Sequence, residues 1–293
     1  MSTQKVFHTI RPYLYLIPAF FFVSIFTYFP MFRALYLGLF RWNLAVPQKV
    51  FIGFSNYIEA WNTPLFWQVI RNNIIYMLLT VPISIALGLL FAVLVNKKIR
   101  GKGFYRVALF YPHIIPFVAI AMLWLWMLSP DYGIINYYLV KIGFPNIRWL
   151  TDRRYALLAI VLVSVWRAFG YNTIILLAGL QSIPDELYEA AELDGATRWR
   201  KFIDITFPLL APTTFFVFVI ALIGSFQSID AVYVMTQGGP ANATNLFVYY
   251  IYQHGFLYWN TGYASTLTSI LLSILLISIV LIFRMIGKKV YYG

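Results

Sequence analysis

The sequence predicts an all-α, polytopic membrane protein with six transmembrane helices. Three observations carry this. Hydrophobic residues make up 61% of the 293-residue chain and charged residues only 11%, which excludes an ordinary soluble domain. Charge-free stretches long enough to cross a hydrocarbon core recur along the chain. Trp, Tyr and Phe reach 19%, as expected where aromatic belts mark both membrane interfaces. Cysteine is absent, which removes disulfides, thiolate metal sites and cysteine nucleophiles. The net charge of +12 reads as topology-setting Lys and Arg rather than nucleic-acid affinity.

The N-terminus is basic, then apolar, with no small-residue cleavage site after the apolar run. It reads as a retained first span, about 12–32, rather than a signal peptide. The second span is about 72–96. The third, about 107–130, has Pro112 and Pro116 near its start. The fourth, about 155–180, is interrupted by Arg167. The fifth is about 207–229 and the sixth about 263–283. The chain 1–293 reads as one transmembrane domain, and an even number of spans puts both termini on one side. The segment 96–106 holds five bases and no acid, the tail from Arg284 adds three bases, and the N-terminus adds Lys5 and Arg11. The positive-inside rule makes these segments cytoplasmic, and with them the loop 184–207 between the fourth and fifth spans. No repeat and no inverted pair of broken helices is visible, which weakens the reading as a secondary transporter.

That loop holds six of the ten acidic residues: Asp185, Glu186, Glu189, Glu192, Asp194 and Asp204. Ser182 reads as an N-cap with Asp185 three residues later, and Pro184 suits a first helical turn. On a helix 184–193, Leu187, Ala190 and Ala191 fall on one side, and Asp185, Tyr188, Glu189 and Glu192 on the other. Gly195 is a helix stop with a left-handed conformation. A second helix follows, with Trp199, Phe202, Ile203 and Thr206 on one face, ended by Pro208. A loop merely resting on lipid headgroups would be basic. This one carries six acids against Arg198, Arg200 and Lys201, so it reads as a protein-docking element.

The pattern Glu189-Ala190-Ala191, Asp194-Gly195-Ala196, then Ile205 and Pro208, resembles the EAA loop of ABC importer permeases. The segments 51–61, 111–136, 165–184 and 234–252 look like sugar-importer permeases of the maltose type, most like the first permease of glycerol-phosphate and oligosaccharide importers. Phe207 departs from the leucine that many members carry before the proline. The resemblance implies the type I importer permease (MetI-like) fold, with alternating access driven by ATP hydrolysed elsewhere. It implies that Glu189, Ala190, Ala191, Asp194, Gly195, Ala196, Phe202, Ile205 and Pro208 couple to a cytoplasmic ATPase. It implies a second permease subunit as heterodimer partner, two ATP-binding subunits holding ATP and Mg, an extracytoplasmic solute-binding protein, and a carbohydrate substrate in a bacterial or archaeal plasma membrane. No GxxxxGK[ST] pattern occurs, so this chain is not expected to be an enzyme or to hold a cofactor or metal.

For the solute path, sugar hydroxyls need amide and carboxylate partners plus aromatic faces. Arg167, Asn172, Gln227 and Asp230 are polar groups in or at the ends of spans, and Trp166, Tyr171 and Tyr233 are aromatic candidates beside them. The competing role for Arg167 is structural, pairing with a helix carbonyl or with Asp230. The rival class is an ion-coupled secondary transporter of a small polar solute. It would need intramembrane carboxylates, and the first three spans have none.

Overall fold

The computed structural model describes residues 15–97 and 100–285. The termini, expected on the cytoplasmic side, and residues 98–99 of the basic segment 96–106 lie outside the described residues. Among the described residues, five helices are long and apolar enough to cross a membrane: Tyr15–Leu37, Pro64–Asn96, Ala156–Gln181, Arg198–Met235 and Thr261–Met285. They correspond to the first, second, fourth, fifth and sixth expected spans. Their ends overrun the charge-free stretches because a charge marks the bilayer edge, not the helix edge. Arg71, for example, sits exposed within the second span.

The third span differs from its expected form, 107–130. It is two helices, Lys102–Ile114 and Phe117–Met127, bent by 95°. The break has a local cause. Proline disfavours helical geometry in the residue before it, and Ile115, just ahead of Pro116, is extended at ψ 137°. Proline also shapes the first and fifth spans without breaking them. Ser24–Tyr28 precedes Pro30 and Phe202–Thr206 precedes Pro208; both are π-turns. Proline brings no N–H to the carbonyl four residues back, and its ring presses on it. The wider turn shifts the bonding by one: Phe29 N–H donates to Ser24 O, and Phe207 N–H to Phe202 O. The chain therefore runs helically through Pro208, which was expected to end the helix.

The chain divides into two compact units. The first comprises the described part of Met1–Thr63 together with Ile251–Ile274. Here a short ribbon pairs Phe40–Arg41 with Val50–Phe51. Asn56 donates to Gly38 O and Phe40 O, both at 3.0 Å, and Thr266 Oγ1 donates to Gly38 O at 2.9 Å. These bonds tie the end of the first span to the start of the sixth.

The second unit comprises Pro64–Tyr250 and the chain from Leu275. Its centre is the pair formed by the second and fourth spans. Lipid tails are as apolar as leucine, so close packing of small groups, not burial from water, favours such a pair. Gly88 abuts Asn172, and Asn172 donates to Ser84 Oγ at 3.2 Å. Ala92, Val95, Leu176, Leu180 and Leu210 continue the seam as an apolar cluster. The second span also holds the loop 236–247. Gln68 donates to Ala241 O, Asn72 to Asn242 O and Asn245 O, and Asn73 Oδ1 accepts from Phe247 N–H.

The excursion 129–149 closes on one side chain. Asn136 is buried; it donates to Ile147 O at 2.8 Å and accepts from Ile147 N–H and from Trp149 Nε1 at 3.1 Å. Asn136→Ala strands these groups, and each buried polar group left unpaired costs roughly 1–3 kcal/mol. A clear drop in the melting temperature of the purified protein is expected. An unchanged value would show that water replaces the amide.

Candidate functional site

Four helical segments of the second unit converge on a cavity of about 320 Å³, the lower end of the range for small-ligand sites. The second span contributes Tyr76, Thr80 and Ser84, and the broken span contributes His113 and Phe117 at its bend. The fourth span supplies Ser164, Arg167, Tyr171 and Asn172, and the end of the fifth supplies Gln227, Ser228 and Asp230. The bend at Pro116 is what brings His113 and Phe117 to one wall. His113 stacks on Tyr171 with ring centroids 4.5 Å apart. The Arg167 guanidinium lies 4.8 Å over the Phe117 ring. Tyr76 OH donates to Ser228 Oγ at 3.1 Å, joining the second span to the end of the fifth.

Five of the expected path residues, Arg167, Tyr171, Asn172, Gln227 and Asp230, line this cavity. Trp166 and Tyr233 do not. Trp166 packs edge-on against Trp124, and Tyr233 is half exposed beside Tyr249. Arg167 does not pair with Asp230: the ion pairs among the described residues are Arg200–Asp204 and Lys201–Glu192. Sequence reasoning missed Tyr76, Thr80, Ser84 and the role of His113.

The loop after the fourth span folds as the helix Asp185–Leu193, a turn, and the helix beginning at Arg198. Ser182 does not cap the first helix. Its hydroxyl donates back to Gly179 O at 2.8 Å and ends the fourth span, while Pro184 holds the N-cap position with no side-chain bond. Asp185 and Glu186 lie in the first turn, where the helix dipole favours carboxylates. Gly195 stops the helix at φ +73°. Its N–H donates to Glu192 O, and Ala196 N–H donates to Ala191 O, which is the Schellman arrangement. Thr197 caps the second helix through Arg200 N–H.

The two expected sides of the first loop helix do not divide into a buried and an exposed face: Ala191 on one and Tyr188 on the other are half-buried, and the rest are exposed. Tyr188 turns inward, packs on the apolar cluster and hydrogen-bonds Thr206 Oγ1 at 2.9 Å. Leu187 and Ala190 face outward with Glu189, and Leu193 and Trp199 are 90% and 70% exposed. A tyrosine ring covers more apolar surface than leucine here, and its hydroxyl finds a partner at the far end. Glu192 is bound to Lys201, which holds its carboxyl below the usual range through that hydrogen bond and the lysine charge. The pair therefore persists at neutral pH and is lost as pH falls through the lowered value. Ala191, Asp194, Ala196 and Ile205 line a groove between the two loop helices. Phe202 is half-buried and Pro208 exposed at the foot of the fifth span.

Residues 84–290 match the family model described as binding-protein-dependent transport system inner membrane component. The sn-glycerol-3-phosphate transport system permease protein UgpA of Agrobacterium fabrum is 36% identical over 287 residues, covering 97% of each chain. The lactose transport system permease protein LacF of Rhizobium radiobacter is 36% identical over 276 residues, covering 92% of each. Among solved structures, a chain of a bacterial alginate ABC transporter in complex with alginate pentasaccharide-bound periplasmic protein is similar with a TM-score of 0.85, at 23% identity over 99% of each chain. That likeness shows a shared fold with ABC importers. With a family match over more than half its length and relatives aligned nearly end to end, the chain belongs to the binding-protein-dependent transport system inner membrane components.

Proposed function

We propose that this membrane component carries a carbohydrate inward through the cavity around Arg167, Tyr171, Asn172 and Gln227. One observation carries the reading. A chain 36% identical to permeases named for lactose and for sn-glycerol 3-phosphate gathers hydroxyl, amide and aromatic groups around a single cavity. Family membership argues against the ion-coupled alternative. The chain works as a heterodimer with a second permease and receives solute from an external binding protein. Two ATP-binding subunits with their ATP and Mg engage the loop through Glu189, Ala190, Ala191, Asp194, Gly195, Ala196, Phe202, Ile205 and Pro208. Closure of the ATPases must favour one state of the spans over the other, or no coupling results. The loop offers an outward face of Leu187, Glu189, Ala190 and Leu193 for that contact.

The orientation is tested with single cysteines in this cysteine-free chain. Cysteine at Glu192, exposed on the loop, should resist an impermeant thiol reagent in intact cells. Cysteine at Glu59 or at Tyr132, both exposed, should react. Labelling of position 192 from outside would overturn the topology. The function is tested by binding-protein-dependent uptake of labelled sugars in vesicles holding the full complex. ATP hydrolysis unresponsive to every sugar-loaded binding protein would sink it.

A further inference from the structure

The cavity contains a cation that no described carboxylate pairs with. Arg167 sits within a membrane span, where a charge is costly unless it is paired or faces a cavity. Its Nε–H is buried and meets no acceptor. Among the described residues it has no ion pair, since both ion pairs there belong to the loop. The contact that holds it is the face of Phe117, 4.8 Å away. A ring face stabilises a cation without occupying its N–H donors. The one carboxylate among the lining residues, Asp230, is exposed and stands at the first turn of the helix Asp230–Met235. On the same wall, the buried Nδ1 of His113 also lacks a partner.

We propose that Arg167 receives an anionic group of the transported solute, so that the carbohydrate is an acidic one, carrying a carboxylate, phosphate or sulfonate. The inference rests on the reading of this cavity as the solute path. A guanidinium matches such oxyanions with two parallel N–H bonds. A neutral sugar offers the guanidinium only hydroxyl oxygens, whose bonds to a charged donor are weaker than those of an oxyanion. Gln227 and Ser228 remain for the sugar hydroxyls.

The test uses the complete importer in proteoliposomes, normalised for protein, with matched solutes. These are sn-glycerol 3-phosphate against glycerol, and a uronate-containing disaccharide against lactose. Wild-type protein is expected to take up an acidic member. Arg167→Gln should lower that uptake about tenfold or more, the scale of a lost charge-assisted bond. Arg167→Lys, which keeps the charge, should retain more. Uptake of a neutral member alone, or equal uptake by wild type and Arg167→Gln, overturns the inference and leaves the importer reading in place. No uptake of either class, with ATP hydrolysis unresponsive, removes both.

Discussion

Replacing Gly170 by alanine is expected to remove most of the folded protein from the membrane. A Cβ at this position would lie 1.8 Å from the carbonyl oxygen of Leu109 and 2.7 Å from its carbon. These are backbone atoms, so no side chain can turn aside. The helix Lys102–Ile114 would have to withdraw as a body by about 1 Å or more to restore an ordinary contact. Overpacking commonly costs about 1–3 kcal/mol when side chains can adjust, and here they cannot. Withdrawal would also move His113, which sits in the last turn of that helix, away from Tyr171. Gly103→Ala provides the comparison, because a Cβ there meets nothing and alanine favours the helix. Melting in detergent should show Gly170→Ala far below wild type and Gly103→Ala level with it. Equal melting for the two would show that the close approach at Leu109 is absent in the membrane.

The five long helices were legible because long charge-free runs have few alternatives in a chain this apolar. The bend of the third span was only half legible. Pro112 and Pro116 are visible in sequence, but Pro112 stays within a helix while Pro116 ends one. Proline alone does not say which, because neighbouring helices supply the partners for freed backbone groups. Arg167, Asn172, Gln227 and Asp230 stood out as polar groups in apolar surroundings. Asn72, Tyr76, Thr80, Ser84 and Gly88 did not, although they step by four residues along the second span and are all buried. That stripe was readable from spacing, yet the apolar residues between its members masked it. The inward residue of the first loop helix was not legible for a different reason. In a nine-residue helix, Leu187 and Tyr188 are both plausible inward residues. The position of the second and fifth spans decides between them, and no local pattern contains that.

Gly195→Asp and Glu189→Lys are expected to leave the protein at normal abundance in the membrane and to abolish most ATP-driven uptake. Gly195 has φ +73°, and a Cβ there meets no atom within 4 Å. The penalty of a side chain is thus backbone strain alone, about 1 kcal/mol. That is too little to unfold a protein whose spans are held by close packing elsewhere. Glu189 is exposed and makes no ion pair among the described residues, so its reversal breaks nothing inside the chain. Any large effect must then arise outside it. An added side chain at Gly195 projects into open space at the exposed end of the loop helix, and a lysine at 189 reverses the charge of the outward face. Uptake should fall tenfold or more, with the ATPase either released from the membrane or no longer stimulated by loaded binding protein. Glu192→Gln is the internal contrast. It weakens the bond to Lys201 within the loop, so its cost should appear in stability, and only modestly, because the carboxylate is exposed. If Gly195→Asp and Glu189→Lys both transport normally with the ATPase attached, the outward face of this loop is not the coupling surface. The acidic residues it displays would then need another partner.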